Sequence, residues 1–155
     1  MHPRVRPAAP GDVPLLIRLM AEFYAEAGYT AEPGRAATAF ADLLGDPAHG
    51  RVWVIEADGE PAGYIVLTLG YSMEYGGRDG FLDDLFIRAP FRGRGLGTAA
   101  VDALRTAAVS LGVRALHVEV AHDNGPAQVV YRRAGFAETG RQLLTLKLAD
   151  PTHVN

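Results

Sequence analysis

The sequence contains no cysteine among its 155 residues. This absence excludes disulfide bonds, thiolate metal ligands, iron–sulfur ligation and a cysteine nucleophile. Lysine is nearly absent as well, because Lys147 is the single lysine among 15 basic side chains. With 18 acidic residues the formal net charge is −3, a balance that gives no general attraction to nucleic acid or to an anionic membrane. We therefore expect neither as a partner.

Long hydrophobic runs are missing too. No stretch approaches the ~20 apolar residues that a membrane span requires. The N-terminal segment MHPRVRPAAPGD lacks the apolar core of a signal peptide, so we expect a soluble, cytoplasmic protein. The length fits a single domain over residues 1–155, since domains commonly contain ~100–200 residues.

Strand-like and helix-like segments alternate along the chain. The spacing of apolar residues predicts helices after Asp12 and over Pro33–Leu44, Thr98–Leu111 and Pro126–Ala134. Period-two and β-branched runs predict strands at Val5, Arg51–Ala57, Ala62–Leu69, Phe81–Ile87, Arg114–Val120 and Leu143–Leu148. The segment Tyr71–Gly80 is predicted to be an irregular loop. This order predicts a mixed β-sheet with helices packed on it.

A glycine-rich turn separates the strand Phe81–Ile87 from the following helix. Glycines let several backbone N–H groups point at one spot, and a helix N-terminus adds unsatisfied N–H groups and a positive dipole. Such a turn can bind phosphate, and arginines would add charge-assisted donors. The residues concerned are Arg92, Gly93, Arg94, Gly95, Leu96, Gly97 and Thr98. A tight turn with solvated arginines is the alternative, since neither the P-loop nor the dinucleotide fingerprint fits this spacing.

The spacing Arg-x-x-Gly-x-Gly after a strand resembles motif A of the GNAT superfamily of N-acetyltransferases, where the turn binds the pyrophosphate of acetyl-CoA. The run LDDLFI at residues 82–87 resembles the fourth strand of that family. Its motif B is matched by Asn124, Ala127, Tyr131, Gly135 and Phe136. The resemblance implies an α+β fold: a mixed, mostly antiparallel sheet with helices on both faces and a central, splayed pair of parallel strands.

The resemblance also implies a reaction. Acetyl-CoA would be the co-substrate, and a small-molecule primary amine would attack it directly in a ternary complex. Free backbone donors near Leu85, Phe86 and Ile87 would bind the pantetheine amides and the thioester carbonyl. Tyr131 would be the general acid for the leaving thiolate, because a phenol with a pKa near ~10 stays protonated at neutral pH. Asn124 would contact pantetheine or, alternatively, order the turn before its helix.

Four residues are candidates for the general base. Asp83 aligns with an acidic position that serves in several family members, and we place it first, with Glu119 second. Asp84 and His117 remain alternatives, and each of the four has an ordinary interpretation as a solvated or ion-paired strand residue. Strict alternation puts Asp83 and Asp84 on opposite faces of the strand, so only one of them can face the cleft. The His, Asp and Glu residues show no metal-binding spacing, and we expect no metal.

The charge pattern suggests the acceptor. Four acids lie between Glu74 and Asp84, whereas the turn Arg88–Arg94 carries three arginines and no acid. A cationic amine is therefore the expected acceptor. Tyr24, Tyr29, Tyr71 and Tyr75 are candidate pocket residues, with packing on the surface or in the core as the alternative for each of them. A non-catalytic acyl-CoA-binding regulatory module and a protein- or tRNA-modifying enzyme are the competing interpretations. A homodimer is compatible with the family, although the sequence identifies no interface.

Overall fold

The structure is a computed structural model that describes residues 2–148. Its elements are β1 (Pro3–Pro7), α1 (Val13–Glu26), α2 (Pro33–Gly45), β2 (Gly50–Ala57), β3 (Glu60–Ser72), β4 (Gly77–Ile87), α3 (Leu96–Ser110), β5 (Ala115–Val118) and α4 (Gly125–Ala134). The strands form one sheet in the order β1-β2-β3-β4-β5. The pairs β1–β2, β2–β3 and β3–β4 are antiparallel, and β4–β5 is parallel. The predicted α+β fold with a mixed sheet is confirmed.

The β2–β3 hairpin shows how local sequence sets the sheet. Asp58 and Gly59 have positive φ angles of 51° and 81°, as a type I′ turn requires. Because successive strand residues point to opposite faces, β2 contributes Val52 and Val54 to one core and Trp53 to the other. The hairpin therefore supplies apolar side chains to both faces of the sheet.

Each face of the sheet is covered by helices. On one face, α3 and α4 bury side chains such as Leu104 and Tyr131 against Leu67 of the sheet. On the other face, α1 and α2 contribute Leu16 and Phe40 to a second core. The predicted placement of helices on both faces is confirmed. Within residues 2–148, none of the helices combines the length and the apolar character that a membrane crossing needs.

The prediction of an irregular loop over Tyr71–Gly80 is wrong. The strands β3 and β4 pair as far as Ser72 and Gly77, which leaves only a short turn between them. Two glycines of these paired strands allow close approach. A Cβ on Gly80 would lie 2.9 Å from a methyl carbon of Leu67, and one on Gly70 would lie 2.8 Å from a carboxylate oxygen of Asp79. Glycine at these positions is compatible with a ladder that bulkier residues would disturb.

The predicted strand Leu143–Leu148 is also not present as a strand. These residues have no regular secondary structure in the described chain, and their leucines are largely exposed. A strand needs a neighbour that satisfies its backbone N–H and C=O groups, and no strand within residues 2–148 pairs with this segment. The alternation of apolar residues was therefore not sufficient to predict a strand within residues 2–148.

Candidate active site

The two parallel strands separate near the middle of the sheet. Pairing between β4 and β5 extends from Asp79–Ala115 to Leu82–Val118, and β4 then continues alone on that side to Ile87. Over this last part β4 remains paired with β3, so its other edge has no strand partner in the described chain. The predicted splay of the parallel pair is confirmed. It leaves residues 83–87 of β4 without a strand neighbour on that side among the described strands, and there the carbonyl of Ile87 accepts a hydrogen bond from Nε of Arg92.

A β-bulge lies at the point of separation. Val66 of β3 is opposite Asp84 and Leu67 is opposite Leu82, which leaves Asp83 as the extra residue. A bulge of this kind interrupts the alternation of side chains, on which the expected opposite orientation of the two aspartates depended. Both carboxylates raise the pKa of Tyr24 on α1, although burial is the larger cause. The bulge therefore gathers two negative charges near one tyrosine.

Asp84 is half-buried and has a tyrosine as its partner. The hydroxyl of Tyr64, which is fully buried on β3, donates a 2.9 Å hydrogen bond to Oδ2 of Asp84. Burial raises the pKa of Asp84 to about 6; the hydrogen bond from Tyr64 opposes this change, and the charge of Asp83 adds to it. Burial and the charge of Asp84 in turn raise the pKa of Tyr64. A carboxylate that titrates just below neutral pH is suited to accept a proton.

Tyr131 reaches the same region from α4. Its side chain is buried, and its ring packs edge-on against Phe136 at a centroid distance of 5.8 Å. Burial raises the pKa of Tyr131 to about 12, with a smaller contribution from the charge of Asp84. The phenol therefore keeps its proton at neutral pH. The structure places a proton donor and a proton acceptor within electrostatic reach of each other.

The other candidate bases lie in different surroundings. Asp83 is exposed at the bulge, and Glu119 is exposed just beyond the end of β5. His117 has its Nε2 atom 3.1 Å from Oδ2 of Asp79 and packs near the rings of Tyr75 and Phe81. The structure therefore gives His117 a side-chain partner on the neighbouring strand, Asp79. No cluster of three metal-ligating side chains occurs among residues 2–148.

The glycine-rich turn is open to solvent. Gly93 and Gly95 have φ angles of +76° and +79°, and a Cβ on either would meet no heavy atom of the described structure within 4 Å. Gly95 precedes α3, for which no side-chain cap is found in the described part of the chain. The first N–H groups of a helix have no intrahelical acceptor, so the turn offers backbone donors beside a helix dipole. This arrangement fits a phosphate group.

The arginines of the turn have partners within the protein. The Nε of Arg92 donates to the carbonyl of Ile87, and its guanidinium forms an ion pair with Glu26 of α1. The guanidinium of Arg94 lies 5.6 Å from the centroid of the Phe91 ring. Charge-assisted contact of these arginines with a phosphate, as the sequence suggested, therefore stays a prediction.

Two of the four acids in the predicted acidic segment have basic side-chain partners within the protein. Glu74 accepts two hydrogen bonds from Arg141, at 2.7 and 3.0 Å, and Asp79 is paired with His117. The charges of Asp83 and Asp84, by contrast, destabilise the ionised forms of their neighbours. The negative field of the site therefore comes chiefly from these two residues.

Asn124 has a defined structural role. Its side-chain oxygen accepts a 3.2 Å hydrogen bond from the N–H of Ala127 and so caps the N-terminus of α4. This supports the alternative that Asn124 orders the turn, and its contact with pantetheine stays a prediction. Of the candidate pocket tyrosines, Tyr24 is half-buried at the site, whereas Tyr29 and Tyr71 are largely exposed.

Sequence reasoning missed Tyr64. This residue belongs to no motif and is one more apolar position in a buried strand, so its hydroxyl gave no signal. Its role depends on the register that brings it beside Asp84, and the period-two pattern of β3 was the only local hint of its orientation.

Comparisons with known proteins agree with this geometry. A model of the acetyltransferase (GNAT) family matches residues 16–136. An uncharacterized N-acetyltransferase of Bacillus subtilis (strain 168), YycN, is 36% identical over 66 residues, which are 43% of this chain and 42% of that protein. The match therefore spans less than half of this curated relative.

Two solved structures resemble almost the whole chain. An integron cassette protein from the mobile metagenome of Cole Harbour Salt Marsh is 53% identical, with a TM-score of 0.87 over 95% of this chain and 91% of the other. The aminoglycoside N-acetyltransferase AAC(6')-Iy, in complex with CoA, has a TM-score of 0.80 and 19% identity over 96% of each chain. At that identity the second likeness shows the fold alone.

Proposed function

Since the chain belongs to the GNAT family of acetyltransferases, we propose that it transfers the acetyl group of acetyl-CoA to a primary amine by direct attack in a ternary complex. One observation carries the proposal. The separation of β4 from β5 leaves the edge at Leu85–Ile87 without a strand partner in the described chain, beside Tyr131 and the glycine-rich turn. An extended amide-containing ligand can bind such an edge as a further strand would.

The chain has groups that fit each part of acetyl-CoA. The backbone of Gly93 and Gly95, with the start of α3, offers donors to the pyrophosphate in a space that no side chain fills. The β4 edge offers N–H and C=O groups to the pantetheine amides, and one of its N–H groups would polarise the thioester carbonyl. When bound, acetyl-CoA supplies an acyl group already activated as a thioester. A protein of the same fold, AAC(6')-Iy, has been solved with CoA.

In the proposed mechanism Asp84 accepts the proton of the attacking amine, directly or through a water. Its raised pKa of about 6 makes it a stronger base than an exposed aspartate, while it remains mostly ionised at pH 7. Asp83, our first choice from the sequence, would act by its charge, because it raises the pKa of Asp84. Glu119 is the second alternative, at the end of β5. Tyr131 would give its proton to the leaving thiolate.

We further propose that the acceptor carries more than one positive charge. Asp83 and Asp84 are adjacent in sequence, and their charges raise the pKa values of Tyr24 and Tyr64. A cation near two carboxylates would relieve this repulsion. A small polyamine, the amide of a basic amino acid or an aminoglycoside has the required chemistry, and a protein amine on a basic segment has it too.

The test is an assay of thiol release from acetyl-CoA against a panel of amines. Because the chain has no cysteine, a thiol reagent reports only the CoA produced. Diamines should react at least tenfold faster, in kcat/KM, than monoamines of the same length. Equal rates would exclude the role of charge in acceptor selection. Tight CoA binding without turnover on any amine would instead indicate a non-catalytic acyl-CoA-binding module.

A further inference from the structure

Tyr64 lies in an aromatic cluster between the sheet and the helices α1 and α2. Its side chain is fully buried, and its ring has edge-on or tilted contacts with three phenylalanines, one each from α1, α2 and β4. The centroid distances are 6.5 Å to Phe23, 5.9 Å to Phe40 and 6.4 Å to Phe86. Because close-packed core side chains occupy fixed rotamers, the hydroxyl at the end of this ring has a fixed position.

The hydroxyl of Tyr64 binds one oxygen of Asp84 and leaves the other oxygen free. It donates to Oδ2, whereas no hydrogen bond to Oδ1 is found among residues 2–148. No buried side-chain oxygen in this part of the chain lacks a hydrogen-bond partner, so Oδ1 of Asp84 is open to solvent. The core therefore holds the carboxylate by one oxygen, and the other oxygen can meet a water or an amine.

Asp83 has no such support. It is exposed at the bulge, and no hydrogen bond or ion pair holds its carboxylate within the described residues. A base that is already oriented reacts faster than one that rotates freely, because less orientational entropy is lost on reaching the transition state. The hydrogen bond from Tyr64 therefore distinguishes two adjacent aspartates that are chemically identical in the sequence.

We propose that Tyr64 is a positioning residue for acetyl transfer: its hydroxyl fixes the carboxylate of Asp84 so that Oδ1 faces the bound amine. This inference rests on the proposed function, because it assumes that Asp84 accepts the proton of the amine. The other ionisable groups that interact with Asp84 come from three elements: Asp83 at the bulge, Tyr24 on α1 and Tyr131 on α4. The alternative is that the hydrogen bond only satisfies a buried hydroxyl.

The variant Tyr64→Phe tests this role, because it removes the hydroxyl and keeps the buried ring. The pKa of Asp84, followed by NMR of isotope-labelled aspartate carboxyls, should rise by about 1 pH unit, since a hydrogen bond that favours the ionised form is lost. The pH at which kcat reaches half of its plateau should rise with it. The plateau itself should fall about tenfold, because the carboxylate is no longer oriented, while the KM for acetyl-CoA stays within about twofold.

A double variant separates positioning from a general loss of structure. If Tyr64 acts through Asp84, Tyr64→Phe should lower kcat no further in an Asp84→Asn background. The matched control is Val52→Ala, which removes buried volume from the same core on β2, a strand that does not pair with β4. This control should lose stability and keep both the plateau and the pH dependence of kcat.

Three results would overturn the role of Tyr64. They are an unchanged plateau of kcat in Tyr64→Phe, an additive loss of kcat in the double variant, and an equal loss of kcat in Val52→Ala. The first would show that the hydrogen bond serves folding alone, and the other two would indicate general loosening of the core. Failure of the proposed function would look different, because the unmodified chain would then turn over none of the amines.

Discussion

The hydroxyl of Tyr64 donates a 2.9 Å hydrogen bond to Asp84 at the point where β4 leaves β5. Tyr64 is fully buried in the core beneath α1 and α2, so it holds the carboxylate from a rigid position. Its hydrogen bond favours ionisation of Asp84, but burial and the charge of Asp83 oppose it more strongly. Burial of Asp84 should therefore lower the stability of the fold when the carboxyl is ionised, and at the same time make the carboxylate a stronger base for catalysis.

Replacement of Asp84 by asparagine should stabilise the fold at high pH. The pKa of Asp84 is raised from 3.8 to about 6, so its contribution to stability is fully present below pH 3.8 and is lost as pH rises through about 6. Because one pKa unit corresponds to about 1.4 kcal/mol, Asp84→Asn should raise the free energy of unfolding by about 1–3 kcal/mol at pH 8 and by much less at pH 4. The asparagine oxygen can still accept the hydrogen bond from Tyr64.

Urea denaturation at the two pH values measures this difference. Asp83→Asn is the matched control, since Asp83 is exposed at the bulge, and it should have a smaller effect on stability. An equal gain for Asp84→Asn at pH 4 and pH 8 would show that ionisation of this carboxyl does not oppose folding.

Asp84→Asn should lower kcat by about 10²-fold or more, the usual contribution of a general base. In the unmodified enzyme, kcat should decrease as the pH is lowered through about 6, because Asp84 becomes protonated. This acidic limb of the pH profile should be absent from the variant. Asp83→Asn should retain kcat within a few-fold and move the limb to lower pH, because the charge of Asp83 raises the pKa of Asp84. A larger loss of kcat in Asp83→Asn than in Asp84→Asn would identify Asp83 as the general base.

The order of elements could be predicted from the sequence because its signals are local. The Asp58-Gly59 turn and the apolar faces of the helices act over a few residues, and the structure has these elements where they were expected. The site is different. Tyr64 and Asp84 are 20 residues apart, and they meet through the register of β3 with β4 and the bulge at Asp83. A period-two pattern cannot show a bulge, so the environment of the two aspartates was not predictable.

The segment Leu143–Leu148 illustrates a second limit. Its alternating leucines predicted a strand, but these residues have no regular secondary structure in the described chain, because a period-two pattern does not specify a neighbouring strand that would pair with it. The ion pairs of Glu74 with Arg141 and of Arg92 with Glu26 each join residues 66 or more positions apart. Counting charges along the sequence therefore overestimated the local electric fields, because the count does not show which charges are paired in the folded protein.

Tyr131→Phe should lower kcat by about 10²-fold and leave the KM for acetyl-CoA within about twofold. The phenylalanine ring retains the buried packing against Phe136, so only the proton donor is removed. Tyr24→Phe is the matched control, because it removes another tyrosine hydroxyl close to the two aspartates and should have a smaller effect on kcat. Steady-state kinetics with the best amine would measure both, and unchanged turnover in Tyr131→Phe would remove this residue from the mechanism.

Gly95→Val should weaken acetyl-CoA binding by at least tenfold. The φ angle of +79° at Gly95 disfavours any residue with a Cβ, and a branched side chain there would occupy the open space beside the first N–H groups of α3. Gly112→Val is the matched control. Gly112 has nearly the same φ angle, +76°, and equally open surroundings, but it follows the far end of α3, about 22 Å away.

Both variants should lose stability to a similar extent in thermal denaturation, because both force valine into a left-handed conformation. Only Gly95→Val should also raise the dissociation constant for CoA measured by calorimetry. If the two variants lose stability equally and both bind CoA like the unmodified chain, the pyrophosphate does not bind at this turn. If both lose binding equally, the loss reflects general destabilisation rather than a blocked phosphate site.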